Sequence, residues 1–166
     1  HLSGRFTPVG STDSELAFCY LLEQLVLKFG YFEPSLNDIF SLLEEISPKI
    51  AEYGTFNFCL SNGQALFSYA TTKLHWIVRE YPFQYARLVD IDVDIDFSKF
   101  TTEEDRVAVI TTEPLTQNEI WTAYQPGEMI LFRDGKVIKT ATTTVDRLVR
   151  EAKDPSLVRV TKADQY

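Results

Sequence analysis

The period of the hydrophobic positions changes between the first and second parts of the chain, and that change divides it into helix-forming and strand-forming regions. From Leu16 to Phe29 almost every residue is apolar, with Glu23, Gln24 and Lys28 as the polar exceptions beside Tyr20. Such a run predicts a helix covered on most sides. Thr12 fits the N-cap position, with Asp13, Ser14 and Glu15 at the first three helical positions, so that Thr12 and Glu15 make a capping box. Gly30 supplies the stop. Ser35, with Asp38 three residues on, opens a second helix in which Leu36, Ile39, Phe40, Leu43, Ile46 and Ile50 keep helical spacing. Pro48 should kink or restart that helix, and Gly54 should end it.

Beyond Gly54 the period falls to two. Phe56, Phe58 and Leu60 alternate with Asn57, Cys59 and Ser61, and Asn62-Gly63 is a hairpin signal leading into a second strand at 65–70. Leu74 to Arg79 reads as a third strand, giving a three-stranded antiparallel meander. Val89 to Phe97 alternates strictly, with Asp90, Asp92, Asp94 and Asp96 on one face of a single strand. Strands are also expected at 106–112, 127–132 and 136–141, the last two joined by a type I′ turn at Asp134-Gly135. A short amphipathic helix at 145–152 and a polar tail, 153–166, close the chain.

Helices first and antiparallel strands afterwards fit an α+β fold with helices covering a sheet. The strands are apolar enough to be covered on both faces, which points to two stacked sheets. The 166 residues, 45% of them hydrophobic, are read as one domain, 1–166. A net charge of −8 without a Lys/Arg cluster argues against nucleic acid or an anionic membrane as partner. No apolar stretch approaches the roughly 20 residues needed to span a bilayer. Two cysteines forty positions apart suggest neither disulfide framework nor zinc pattern, so a reducing, cytoplasmic setting is expected.

Several residues invite chemistry. The four aspartates fail the EF-hand pattern, because Ile95 and Thr101 stand where Gly and Glu are required. Neighbours on one strand face also lie about 7 Å apart, too far to share one small ion. A charged strand face is the reading, with no metal site and no cofactor. Cys59 and His75, on strands of the same meander, are the one pair that could imitate a Cys-His nucleophilic site, since Cys19 lies within the first helix. A core-strand thiol with no orienting third group reads as a small hydrophobe instead. Glu119 and Trp121 lie in a loop suited to ligand contact, although Trp121 is expected to plug the end of the sandwich. Asp13 is the remaining carboxylate of interest. At a helix N-terminus it can stabilise the helix, hold a ligand cation, or do both.

Gly10-Ser-Thr-Asp-Ser-Glu15 with its apolar helix, Phe56-Asn-Phe58, Leu60-Ser-Asn-Gly63, Thr72-Lys-Leu-His-Trp76, Glu113-Pro-Leu-Thr116, Asn118-Glu-Ile-Trp121 and Pro126-Gly-Glu128 together resemble the stand-alone class II glutamine amidotransferases, in order and spacing. The resemblance runs from about Gly4 to Thr140. It implies an N-terminal-nucleophile hydrolase fold, an αββα sandwich, and cleavage of the glutamine side-chain amide to glutamate and ammonia. In that family an N-terminal cysteine attacks the amide, its α-amino group acts as base, a His-Asn-Gly motif builds the oxyanion hole, and an arginine holds the substrate carboxylate. None of these stands in this sequence, so the resemblance implies a carboxyl-terminal portion, inactive by itself, whose nucleophile lies upstream of His1. Catalytic residues are therefore expected to be absent from the chain.

One family role does carry over. The aspartate of the Thr-Asp-(Ser/Thr)-Glu helix start binds the glutamine α-ammonium, which implies Asp13 as a substrate ligand, with Thr12 and Ser14 orienting it or completing the rim. Two alternatives stay open: hydrolysis of γ-glutamyl peptides such as glutathione, which present the same head, and a non-catalytic acidic interaction module with the same fold. The expected partners are the substrate, the missing N-terminal segment and a possible ammonia-accepting synthase.

Overall fold

The structure, a computed structural model, describes residues 4–90 and 93–154. Helix α1 spans Asp13–Phe29 and α2 spans Leu36–Ala51. Among the described residues nine strands follow: β1 Phe58–Ser61, β2 Leu66–Ala70, β3 His75–Glu80, β4 Tyr85–Arg87, β5 Asp94–Asp96, β6 Arg106–Thr111, β7 Thr122–Ala123, β8 Glu128–Arg133 and β9 Lys136–Thr142. Helix α3, Asp146–Lys153, comes last.

Three sheets form: a four-stranded sheet in the order β1-β2-β8-β9, a three-stranded sheet β6-β3-β7, and the β4-β5 hairpin. The first two stack. On β2 and β8 the alternation is amphipathic only in destination, because both faces are covered. Phe67, Tyr69, Met129 and Leu131 pack against Leu21, Phe40, Leu43 and Ile46 of the helices. Ala70, Ile130 and Phe132 face Trp76, Val78, Ala108 and Ile110 of the second sheet. The layers are therefore helix, sheet, sheet, as the resemblance implies for one side of an αββα stack. A second helix layer is not present among the described residues.

The helix boundaries follow the local signals. Thr12 Oγ1 accepts from the Glu15 amide at 3.3 Å, and Gly30, at φ 60°, ends α1. The box is not reciprocal, however: the Glu15 carboxylate passes over Thr12 and takes the amides of Val9 (2.6 Å) and Gly10 (2.8 Å). It thereby pins the preceding loop to the helix, at a Gly10 whose Cβ would stand 2.8 Å from that carboxylate. Ser35 and Asp38 do form a complete box on α2.

Four expectations need correction. Helix α1 is not covered on most sides: it fully buries only Cys19, Leu21 and Glu23 and leaves Leu16, Phe18 and Leu27 about half exposed or more. Helix α2 runs through Pro48 without a break. The buried Ile46, Ser47 and Ala51 around that turn anchor it, so the lost backbone hydrogen bond is offset by packing.

The meander also fails: β2 pairs with β8 over five residues, whereas β3 belongs to the second sheet. The connection turns away because Asn57 Oδ1 captures the amides of Thr71 (2.9 Å) and Thr72 (3.3 Å) at the end of β2. Finally, the acidic alternation yields a strand only at β5, with Asp92 outside the described residues. Asp94 lies 3.8 Å from Arg87, and Asp96 turns to cap a 3-10 turn, Phe97–Lys99, through Ser98. Asp134 and Gly135 form the expected tight turn, both at positive φ, while Asn62-Gly63 sits in a longer loop joining Ser61 to Leu66.

Helix α3 docks through Leu148 and the preceding Val145 in the core, the Arg150–Glu52 pair and, above all, Arg147. Arg147 donates to the carbonyls of Ala51 (2.9 Å), the last residue of α2, and Gly54 (3.1 Å), just beyond it, and to Glu151. Its backbone amide bonds Glu52. Arg147→Ala is expected to lower the unfolding free energy by about 2 kcal/mol, whereas Lys49→Ala, which removes an exposed pair, should cost less than about 0.5 kcal/mol. Chemical denaturation of the two variants checks the contrast.

Candidate functional site

Several of the family-like segments meet at one end of the sandwich, while Asn62-Gly63 lies at the other. Gln64, in the β1–β2 loop, donates to Glu33, in the α1–α2 loop, at 3.4 Å, and this fixes those two turns at the far end. The opposite end then holds the start of α1, the start of β1, the 71–74 turn, the end of β6 and the start of β8. Asp13, Asn57, Thr72, Glu113 and Gly127 all belong to it.

That end is tightly clasped. Thr71 Oγ1 accepts from Phe56 N–H at 2.9 Å, and Asn57 Nδ2 donates to Thr72 Oγ1 at 2.9 Å. Gly127 N–H donates to Ala70 C=O at 2.7 Å, while Gly127 C=O accepts from both the amide and the hydroxyl of Thr143. A Cβ on Gly127, whose φ is 84°, would fall 2.1 Å from the Thr143 carbonyl oxygen, so only glycine fits. Between the sheets, Tyr124 OH and Ser68 Oγ share a hydrogen bond of 2.5 Å. Burial pushes the Tyr124 phenol up, which keeps it protonated.

Asp13 occupies the first turn of α1, exposed, with Oδ1 accepting from the Ser14 amide at 2.8 Å and the Ser14 hydroxyl at 3.4 Å. Oδ2 has no partner among the described residues. Thr12 is spent on the helix cap, and Ser14 orients the carboxylate. The arrangement offers one fixed, outward-facing carboxylate oxygen beside the positive helix end.

The other candidates separate. Cys59 lies on β1 of the first sheet; His75 lies on β3 of the second, with Nδ1 3.0 Å from the Thr112 carbonyl oxygen. Its neighbour Trp76 turns inward onto Phe132, so alternation directs His75 away from the first sheet. The structure gives that pair no shared geometry. Burial around the sulfur pushes the Cys59 thiol up, the direction opposite to a nucleophile, even though the residue keeps exposed surface.

Glu119 and Trp121 make a network that loop composition did not reveal. Arg79 donates twice to Glu119, at 2.7 and 2.6 Å, with both side chains about five-sixths buried. Thr116 Oγ1 donates to Glu119 at 2.6 Å and accepts from Trp121 Nε1 at 2.9 Å. Arg79 also lies over the Phe97 ring at 5.0 Å. Glu119 is thus committed to an internal ion pair, and Trp121 to a hydroxyl. Burial works to raise the Glu119 carboxyl, but the hydrogen bonds from Arg79 and Thr116 with the Arg79 charge outweigh it and hold the group below its ordinary value. The only sequence signal for this was the spacing of Thr116, Glu119 and Trp121. Their partner on β3 is a tertiary fact.

Helices over an antiparallel sheet stacked on a second one, with a carboxylate at the mouth of the first helix, agree with the class of N-terminal-nucleophile hydrolase sandwiches. Residues 1–156 match the family described as glutamine amidotransferases class-II. The "Putative glutamine amidotransferase YafJ" of Escherichia coli (strain K12) is 45% identical over 130 residues, covering 78% of this chain and 51% of its own length. A "Putative glutamine amidotransferase" of Haemophilus influenzae is 44% identical over 131 residues, covering 79% of this chain and 44% of its own. A crystal structure titled as a "predicted glutamine amidotransferase" from Pseudomonas aeruginosa PA01 superposes with a TM-score of 0.71 at 41% identity, over 81% of this chain and 53% of that one. The chain belongs to the class II glutamine amidotransferase family, and it spans about half the length of the curated relatives it matches. Among the described residues no helix is long and apolar enough to cross a membrane.

A carboxyl held low stabilises the fold above its unfolded-state pKa, and that contribution is lost as pH falls through the folded value. Glu119→Gln should therefore flatten the loss of stability with acidification below about pH 4.5, relative to the unmodified protein. Thermal melts across pH 3–7 read the difference; parallel curves would refute the assignment. Gly127→Ala should cost at least about 2 kcal/mol by the same melts at neutral pH.

Proposed function

We propose that the complete protein carrying this chain is a cytoplasmic enzyme that hydrolyses the side-chain amide of glutamine to glutamate and ammonia, with Asp13 holding the substrate α-ammonium. The observation that carries the reading is the Asp13 carboxylate, oriented by Ser14 and presenting one oxygen to solvent at the family-signature end of the sandwich. A charge-assisted hydrogen bond to an ammonium fits that oxygen.

In this reading the thiolate nucleophile, its α-amino base, the oxyanion donors and the arginine for the substrate carboxylate are supplied by residues outside these 166. The chain alone binds poorly and does not turn over. Thiolate attack on the amide carbon, collapse with loss of ammonia, and hydrolysis of the thioester follow in order. Asp13 acts before chemistry, by fixing the γ-amide relative to the attacking atom.

Asp13→Ala in the complete protein is expected to raise KM for glutamine roughly ten- to hundred-fold, corresponding to about 1.5–3 kcal/mol, while leaving thermal stability nearly unchanged. An unaltered KM would remove Asp13 from the pocket. Parallel assays with glutamine and glutathione identify which γ-glutamyl compound is preferred.

A further inference from the structure

The turn that delivers Asp13 has little packing to hold it. Residues 9–14 are all exposed, and Val9 is 98% exposed, so the order of this segment rests on hydrogen bonds. Glu15 supplies the strongest of them. Its Oε1 accepts the Val9 amide at 2.6 Å and its Oε2 accepts the Gly10 amide at 2.8 Å, which commits both carboxylate oxygens to the chain entering α1. Thr12 adds a neutral cap, with Oγ1 accepting from the Glu15 amide at 3.3 Å, and its carbonyl takes the first helical bond, from Leu16, at 3.2 Å. The backbone from Val9 to Glu15 is thereby closed into a ring, and Asp13 lies inside it.

Two amides on one carboxylate are charge-assisted bonds, stronger than the neutral Thr12 contact. They depend on Gly10, because a Cβ there would stand 2.8 Å from Glu15 Oε2, and the flexible carboxylate, not the backbone, would give way. The same commitment removes a rival. Glu15 is two residues from Asp13 at the same helix end, and a free carboxylate there would offer a cation a second, wrongly placed partner. Held in the ring, it leaves Asp13 Oδ2 to meet the ammonium while Ser14 holds Oδ1. An exposed turn ordered before the ligand arrives also spares binding the entropy of ordering it.

We propose that Glu15 is the positioning residue of the substrate-binding carboxylate: by clamping Val9 and Gly10 it fixes the turn in which Asp13 presents Oδ2 to the α-ammonium. This rests on the reading above, in which Asp13 holds that ammonium. The clamp acts on binding and not on amide cleavage, so its mark is in KM.

The experiment measures KM and kcat for glutamine in the complete protein, with thermal melts confirming that each variant is folded. Glu15→Gln, which leaves one acceptor oxygen and no charge, should raise KM about five-fold with kcat nearly unchanged. Glu15→Asp keeps the charge at the helix end but shortens the reach, and should do the same; a normal KM in that variant would assign the effect to charge alone and overturn the clamp. Gly10→Ala should reproduce the Glu15→Gln effect, and the double variant should be no worse than either single one, since both break one contact. In an Asp13→Ala background, Glu15→Gln should leave KM where Asp13→Ala puts it. A KM effect that adds in full to that of Asp13→Ala, or a KM unmoved in folded Glu15→Gln while Asp13→Ala raises it, overturns this proposal alone. An Asp13→Ala variant with unaltered KM overturns the functional reading and the role of Glu15 with it.

Discussion

Everything in this fold depends on the double burial of β2 and β8. Phe67, Tyr69, Met129 and Leu131 are at most 1% exposed on the helix side, and Ser68, Ala70 and Ile130 are fully buried on the other. Two neighbouring strands must therefore satisfy two cores at once, and a shift of one residue in their register would exchange the sets. The one polar intrusion, Ser68, is met by Tyr124 from across the seam, which turns a buried hydroxyl into a link between the sheets. The helices and the second sheet then have only one way to dock.

That register is held from one end. Asn57, Thr71, Gly127 and Thr143 close the strands with side-chain and backbone hydrogen bonds at the end of the sandwich where α1 begins. Asn57 and Gly127, which carry part of the resemblance, build this frame. Asn57 holds a turn, Gly127 allows a close crossing, and Glu119 neutralises Arg79. A site needs such support, because placement within a fraction of an ångström is what converts a carboxylate into a specific ligand.

Much of this could be read from residue order alone. Both long helices, their capping residues and most strands follow from hydrophobic period and from Gly, Ser and Thr at the right offsets, because those signals are local. The partner of β3 could not be read, since a strand's neighbour depends on where a distant segment returns, and here Asn57 diverts the turn that would have made a meander. The acidic run misled for a similar reason: perfect alternation describes a strand, but Asp96 gained more by capping the Phe97–Lys99 turn. Asp13 was placed by resemblance, and the structure adds its orientation by Ser14. The Arg79–Glu119 pair spans forty positions, and no local rule announces it.

The two ends of the sandwich consequently differ in what they can absorb. At the end of the Gln64–Glu33 contact nothing packs within 4 Å of a would-be Cβ at Gly30 or Gly63, whose positive φ still calls for glycine, and Tyr31 and Phe32 stand exposed. Length changes there leave the cores and the clasp untouched. An engineer seeking a place for a reporter or tether finds it at that pole, whereas an insertion at the opposite pole would break the clasp of Asn57, Gly127 and Thr143.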